Sequence, residues 1–294
     1  MQERANLMQN TRLFSFGTAA AIPPLIISIW FLSFIPYSTD AAVENTTTPK
    51  PVETSQVRGD EDEDFLICKH ADQLYQDDKK GFTVLTGNVE LEMSNGFLNA
   101  DKVTLYRNVE TDKLTETIAE GNVQMKEGQA LASSDRAVLN HIDDIVNLHD
   151  NVVVIQEEDR LEAEKMIFNR RTGVQTAEGK PVKITRPDGF LNGNRVEIYK
   201  NLETDEITKI IAQELVEMRD EDIFATSDYA DLNQVDDTVD LRENVVVIQE
   251  EDRLEAKSFT YNRRTGKRVG KGSVKFRVRI SQKNEDEQEP NNEN

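Results

Sequence analysis

Cysteine is almost missing from this chain. Cys68 is the only one in 294 residues, which excludes an intrachain disulfide and any multi-cysteine metal or redox motif. Histidine is nearly as scarce: His70, His141 and His149 carry no metal-ligand spacing, and Cys68-Lys69-His70 has no further ligand beside it. Basic charge is short as well. Thirty-five Lys and Arg face 55 Asp and Glu, a net charge of -20, so the surface repels phosphate backbones and argues against nucleic acid as a partner. It also repels anionic membrane surfaces. Aromatics reach 6% and hydrophobic residues 37%, thin for a dense core. No GxSxG, HExxH, P-loop or dinucleotide-binding signature occurs. No enzyme is expected, with no catalytic residue, no metal and no cofactor to assign. Beyond residue 65 no long stretch keeps a helical apolar stripe.

What is present begins with a segment unlike the rest. Residues 1–12 are polar, with Arg4 and Arg12, and no charged residue occurs from Leu13 to Ser38. Residues 13–37 are long enough to cross a hydrocarbon layer of about 30 Å. Pro23 and Pro24 are tolerated in such helices. Arginines before the run and Asp40 and Glu44 after it place residues 1–12 in the cytoplasm and the remainder across the inner membrane. The alternative is a signal peptide cut after Asp40-Ala41-Ala42, although secretory apolar regions are usually shorter than this one. In either case the rest of the chain is exported. Cys68 lies too far beyond the run to be a lipoprotein cysteine. Residues 38–64, with threonines, two prolines and a closing acid run, read as a flexible linker, and 281–294 as a disordered acidic tail.

The region from 65 to 280 repeats itself. NVVVIQEEDRLEA stands at 151–163 and again at 244–256. Aligned without gaps, 97–173 and 190–266 share 42 of 77 positions, an internal duplication of 93 residues placed at 89–181 and 182–274. A finer period lies beneath it. GNV at 87 and 121, DNV at 150, ENV at 243 and GSV at 272, with the diverged Val182 and Val216, set valines at 89, 123, 152, 182, 216, 245 and 274. Their spacings are 34, 29, 30, 34, 29 and 29. After each turn apolar residues alternate, as in Val89, Leu91 and Met93 or Val152 and Val154, which marks strands with one buried face. Turn signals such as SNG, RRTG and PDG are frequent. Two strands for each ~30 residues give roughly 14 to 16 strands, antiparallel where the turns are hairpins.

The order ADQLYQDDKKGFTVLTGNVELEMSNGFLNADKVTLY at 71–106, continued by IAEGNVQMKEGQALASSDRAVLN at 118–140 and NVVVIQEEDRLEAEKMIFNRRTG at 151–173, resembles the OstA-like domain of the LptA-type lipopolysaccharide-transport proteins. The resemblance covers nearly all of 65–280. It implies an all-β, twisted open β-jellyroll and a role in carrying lipopolysaccharide from inner to outer membrane with the acyl chains in an apolar groove. The membrane run is instead like the inner-membrane LptC component, and the acidic balance departs from the usual periplasmic bridge protein. The chain is thus expected as a single-pass inner-membrane protein with its β domain in the periplasm, or as a soluble periplasmic protein if the run is cleaved. Its expected partners are lipopolysaccharide or a related acylated glycolipid, other β-jellyroll transport proteins and the inner membrane.

The physical chemistry agrees with that implication. At about 0.8 kcal/mol per buried CH₂, exposing one acyl chain of about a dozen carbons costs roughly 10 kcal/mol. Repeating one strand unit recreates the same inward face at each step, so a duplication lengthens a channel. The inward set is read as matched apolar positions: Leu98 with Leu191, Val103 with Val196, Leu105 with Ile198, Ile118 with Ile211, Met125 with Met218 and Leu131 with Phe224. Val152, Val154 and Leu161 match Val245, Val247 and Leu254, and Phe168 matches Tyr261. Each either lines a lipid groove or fills an ordinary β core. A structural or interaction repeat protein of the cell envelope, with no lipid cargo, is the competing class.

Other acidic clusters read as turns. Asp143-Asp144 and Asp236-Asp237 are solvated carboxylates or, less simply, a weak calcium site. EEDR at 157–160 and 250–253 is a polar hairpin. The last strand alternates Val274, Phe276, Val278 and Ile280 with Lys275, Arg277 and Arg279, a basic edge in an acidic protein, while the first strand follows the acid run Asp60–Asp64. These edges are complementary for end-to-end docking by strand addition. The alternative is that the basic residues keep the edge unpaired.

Overall fold

The computed structural model describes residues 66–279 except 95 and 205. The expected membrane run, linker and acidic tail lie outside the described residues. Among the described residues no helix is long and apolar enough to cross a membrane.

The strands are β1 (Ile67–His70), β2 (Gln73–Asp77), β3 (Phe82–Met93), β4 (Gly96–Arg107), β5 (Leu114–Glu127), β6 (Ala130–Asn140), β7 (Ile145–Gln156) and β8 (Asp159–Asn169). They continue as β9 (Val174–Arg186), β10 (Gly189–Lys200), β11 (Ile207–Asp220), β12 (Ile223–Asn233), β13 (Thr238–Gln249), β14 (Asp252–Asn262), β15 (Lys267–Lys271) and β16 (Lys275–Arg277). All sixteen form one sheet. From β3 to β15 each strand pairs antiparallel with its neighbours in sequence, so the all-β architecture is a sequential meander. β1 and β2 both pair with β3, and β15 and β16 both pair with β14. Each of these pairs is one strand interrupted in the middle.

The interruption occurs in every strand, and it explains the repeated NV motif. Pairing registers shift between Thr86 and Val89, Asn99 and Lys102, Glu120 and Val123, and Ser133 and Arg136, and so on across the sheet. In the odd strands the shift is made by two residues with positive φ: Gly87-Asn88, Gly121-Asn122, Asp150-Asn151, Glu214-Leu215 and Glu243-Asn244. Two left-handed residues in succession bend a strand sharply, and Gly and Asn adopt that conformation at least cost. In β9 the corner holds Gly179 and a cis Lys180–Pro181 bond. The valine after each corner points inward: 89, 123, 152, 182, 216 and 245 are at most 1% exposed, whereas Val274 at the sheet edge is 43% exposed. The spacings of about thirty residues are the distance from the corner of one odd-numbered strand to the corner of the next odd-numbered strand.

Aligned corners fold the sheet into two leaves. Leaf A runs from the corners to the two-residue hairpins, as in 123–127 and 130–134. Leaf B runs from the corners to the longer turns, as in 114–120 and 137–140. The inner faces share one hydrophobic core from Leu85 to Phe259. Opposite the corners the two rims meet, and there Arg170, in the turn between β8 and β9, donates to Glu127 at the end of β5 over 2.8 Å. Leaf B therefore stacks about three strands ahead of the leaf A it covers.

Candidate functional site

The interior is the candidate site. Leu98, Val103, Leu105, Met125, Val152, Val154, Leu161, Phe168, Leu191, Val196, Ile198, Met218 and Val245 all point into it and are buried. Val247, Leu254 and Tyr261 pack against it half-buried. Four positions expected inward face out. Ile118 and Ile211 lie on the outer face beside the inward Ala119, Ile210 and Ala212; Leu131 and Phe224 alternate with the inward alanines 130, 132 and 225. There the interior is lined by small residues, so bulk in the sequence misleads. Alternation also changes phase at the corners of the even strands: in β6 the inward residues are 130, 132 and 134 before the corner but 137 and 139 after it.

The two ends of the interior differ. At the start, Leu74 pairs with Leu85 on the inner face of leaf B yet is 62% exposed. At the finish, Phe276 pairs with Leu254 on the inner face of leaf A and is also 62% exposed. This follows from the three-strand offset, since leaf B at the start and leaf A at the finish have no strands opposite them. Lys275 and Arg277 hold the alternate positions of the last edge, with Lys275 3.7 Å from Glu255. Phe276 lies in the paired strand, Val274 is exposed just before it and Val278 is half-buried just after it. Ile280 is outside the described residues.

The rims are polar. Glu127, half of the Arg170 pair, has its carboxyl pushed up by burial, with Arg170 opposing. Asp144 approaches the same guanidinium at 3.6 Å. His141 lies 2.9 Å from the Thr117 hydroxyl, and burial together with Arg170 pushes its imidazole down. Gln175 is 1% exposed, and neither side-chain amide atom finds a hydrogen-bond partner. Sequence reasoning missed all of these except the turn acids, because a rim exists only once the sheet has folded over.

The remaining acidic motifs are turns. Asp144 and Asp237 sit at positive φ in the leaf B turns, where Asn140 and Asn233 donate to Asp143 and Asp236. Both EEDR segments form leaf A hairpins. Among the described residues no group of three or more His, Cys, Asp or Glu is placed to hold a metal ion. Cys68 is exposed.

Comparison with known proteins gives two findings. The family described as LptA/(LptD N-terminal domain) LPS transport protein matches residues 70–174 and 171–267, so its unit matches twice across the duplication. The crystal structure of LptH, the LptA homologous periplasmic component of the conserved lipopolysaccharide transport device from Pseudomonas aeruginosa, is similar at 19% identity, covering 41% of this chain and 93% of that one, with a TM-score of 0.37. None of the curated proteins compared matches the sequence.

Proposed function

This chain belongs to the LptA/LptD N-terminal-domain family of lipopolysaccharide transport proteins, and on that premise we propose that it holds the acyl chains of lipopolysaccharide between its two leaves and hands the lipid along the periplasm from the inner membrane towards the outer. The observation that carries this reading is the interior itself. One apolar face runs unbroken from Leu85 to Phe259, and it emerges at both ends through exposed inner-face residues, Leu74 and Phe276. Residues 13–37 act as the inner-membrane anchor.

The exposed ends support end-to-end docking. A like-folded partner that adds its first strand beside β15 and β16 continues the sheet. Its leaf B then covers Val247, Leu254 and Phe276 while its own start is extended. Phe276→Glu is expected to weaken association of the full chain with such partners, read by cross-linking at the edge. Unchanged association of a folded variant would remove this interface.

A second reading has one observation in its favour. The first copy is packed by its own side chains, with Leu98, Val103, Met125 and Val154 at most 2% exposed, as in a sandwich without cargo. Solvent extraction of the full chain, purified from lipopolysaccharide-producing cells, separates the two. Transport predicts a co-purifying acylated glycolipid. A lipid-free protein with no affinity for lipopolysaccharide would favour the cargo-free sandwich.

A further inference from the structure

The two copies of the duplication close their rims differently. In the first, Glu127 and Arg170 join the leaves over 2.8 Å, and behind the pair Met166 and Phe168 are 1% and 3% exposed. The matched residues in the second copy are Asp220 and Arg263. The aspartate side chain is one methylene shorter. Arg263 still acts on the Asp220 carboxyl through space, and burial pushes that carboxyl up, but no ion pair closes between them among the described residues. A cavity lies there instead. Its floor includes Met218, Leu241 and Phe259, and its lips are Asp220 and Asp222 from leaf A and Arg263 and Arg268 from leaf B.

The sequence changes around this cavity run in one direction. Gly128 and Gln129 of the first copy become Glu221 and Asp222 in the second; Gln175 becomes Arg268, and Phe168 becomes Tyr261. Gln175 is sealed at 1% exposure, whereas Arg268 lies 4.7 Å from the ring of Tyr261 at the lip. A charged rim over an apolar floor matches a molecule with a polar head and a hydrocarbon chain. A peptide strand fits less well, because the backbone here is already engaged: the Glu221 amide donates to Asp188 and the Arg263 amide to Asp237, leaving little edge for strand addition.

We infer that the rim of the second copy is the port through which an acyl chain of a polar-headed amphiphile enters the interior, while the Glu127–Arg170 pair keeps the matching rim of the first copy shut. The inference rests on the lipid-carrying role proposed above and adds a place and a latch to it. The single methylene between Glu127 and Asp220 decides which half of the seam opens.

The test places a photoreactive phenylalanine analogue at Tyr261 or at the matched Phe168 in the full chain, in lipopolysaccharide-producing cells, and measures captured lipopolysaccharide. Capture at Tyr261 well above that at Phe168, which meets only chains already inside the interior, is the expected result. Asp220→Glu, which lengthens the reach towards Arg263, is expected to lower capture at Tyr261 roughly fivefold, the ratio set by about 1 kcal/mol. Glu127→Asp is expected to raise capture at Phe168. Each variant is first checked for unchanged β-sheet content by circular dichroism, and Asp220→Asn, which cannot form the ion pair, should leave capture at Tyr261 high. Equal capture at both positions, or no response to Asp220→Glu in a folded protein, overturns the port and leaves the lipid-carrying role standing. Capture at neither position overturns that role, and the port with it.

Discussion

Asn122 donates its side-chain amide to the Asp101 carboxylate over 2.9 Å. The bond ties the left-handed corner of β5 to the corner of β4. Asn151 with Asp135 and Asn244 with Asp228 repeat it at 2.8 and 2.7 Å. In this chain the asparagine before the corner valine and the aspartate of the neighbouring strand are therefore two sides of one joint. Gly121, at φ 77, completes it, because a Cβ there would collide with the Asp101 carboxylate. Gly121→Ala is expected to destabilise the protein by roughly 2 kcal/mol through strain and collision, and Asp101→Ala by about 1 kcal/mol. Urea unfolding of the full chain measures both. A Gly121→Ala midpoint equal to the parent's would mean that the corner does not need glycine.

Leu215 occupies the same left-handed position in β11, at φ 55 and 72% exposed. It gains nothing from burial there and carries the backbone cost of a side chain that disfavours this conformation. Leu215→Asn restores the residue found at 88, 122, 151 and 244. It is expected to stabilise the protein by about 0.5–1 kcal/mol, seen as a higher urea midpoint with an unchanged slope.

The inner and outer faces can be told apart by truncation. Leu98 is fully buried and Leu131 is 38% exposed, although the matched apolar pattern of the sequence points both inward. Leu98→Ala is expected to cost about 3 kcal/mol, from lost transfer energy and the cavity left behind. Leu131→Ala is expected to cost under about 1 kcal/mol. Equal losses would contradict the phase of the strands.

Acid sensitivity should begin near the histidines. The folded protein holds His141 below its ordinary 6.5 through burial and Arg170, so the unfolded chain takes up the proton first. The stability tied to the neutral ring is complete above 6.5 and is lost as pH falls through the depressed folded value. Glu127, whose carboxyl is pushed up, works in the opposite sense at lower pH, where its protonation favours the folded state. Urea midpoints measured from about pH 8 to about pH 5.5 should therefore fall. His141→Gln, which can still reach Thr117 but does not titrate, should flatten the decline. The remaining slope reflects His149, also lowered by burial. An identical decline in the variant would dismiss His141 as the cause.

Much of this molecule was legible in local sequence. The valines at 89, 123, 152, 182, 216, 245 and 274 mark real corners; before 89, 123, 152 and 245 the second corner residue is Asn, whose left-handed conformation is a short-range preference that needs no distant partner. Hairpins and alternation likewise follow from neighbouring residues, and they suffice for an antiparallel meander. The duplication and the family signature are read directly from the letters. Tertiary structure alone decided the rest. Ile118 and Leu131 face outward because the inner face beside them is taken by small residues, Ala119 and the alanines 130 and 132, and which face of a strand is covered depends on the leaf that folds over it. The Glu127–Arg170 latch joins residues 43 positions apart; it exists because leaf B stacks three strands ahead of leaf A, an offset set by how the whole sheet folds over. The same offset leaves Leu74 and Phe276 bare at opposite ends, and it makes a one-methylene difference between Glu127 and Asp220 matter across a gap that no local pattern describes.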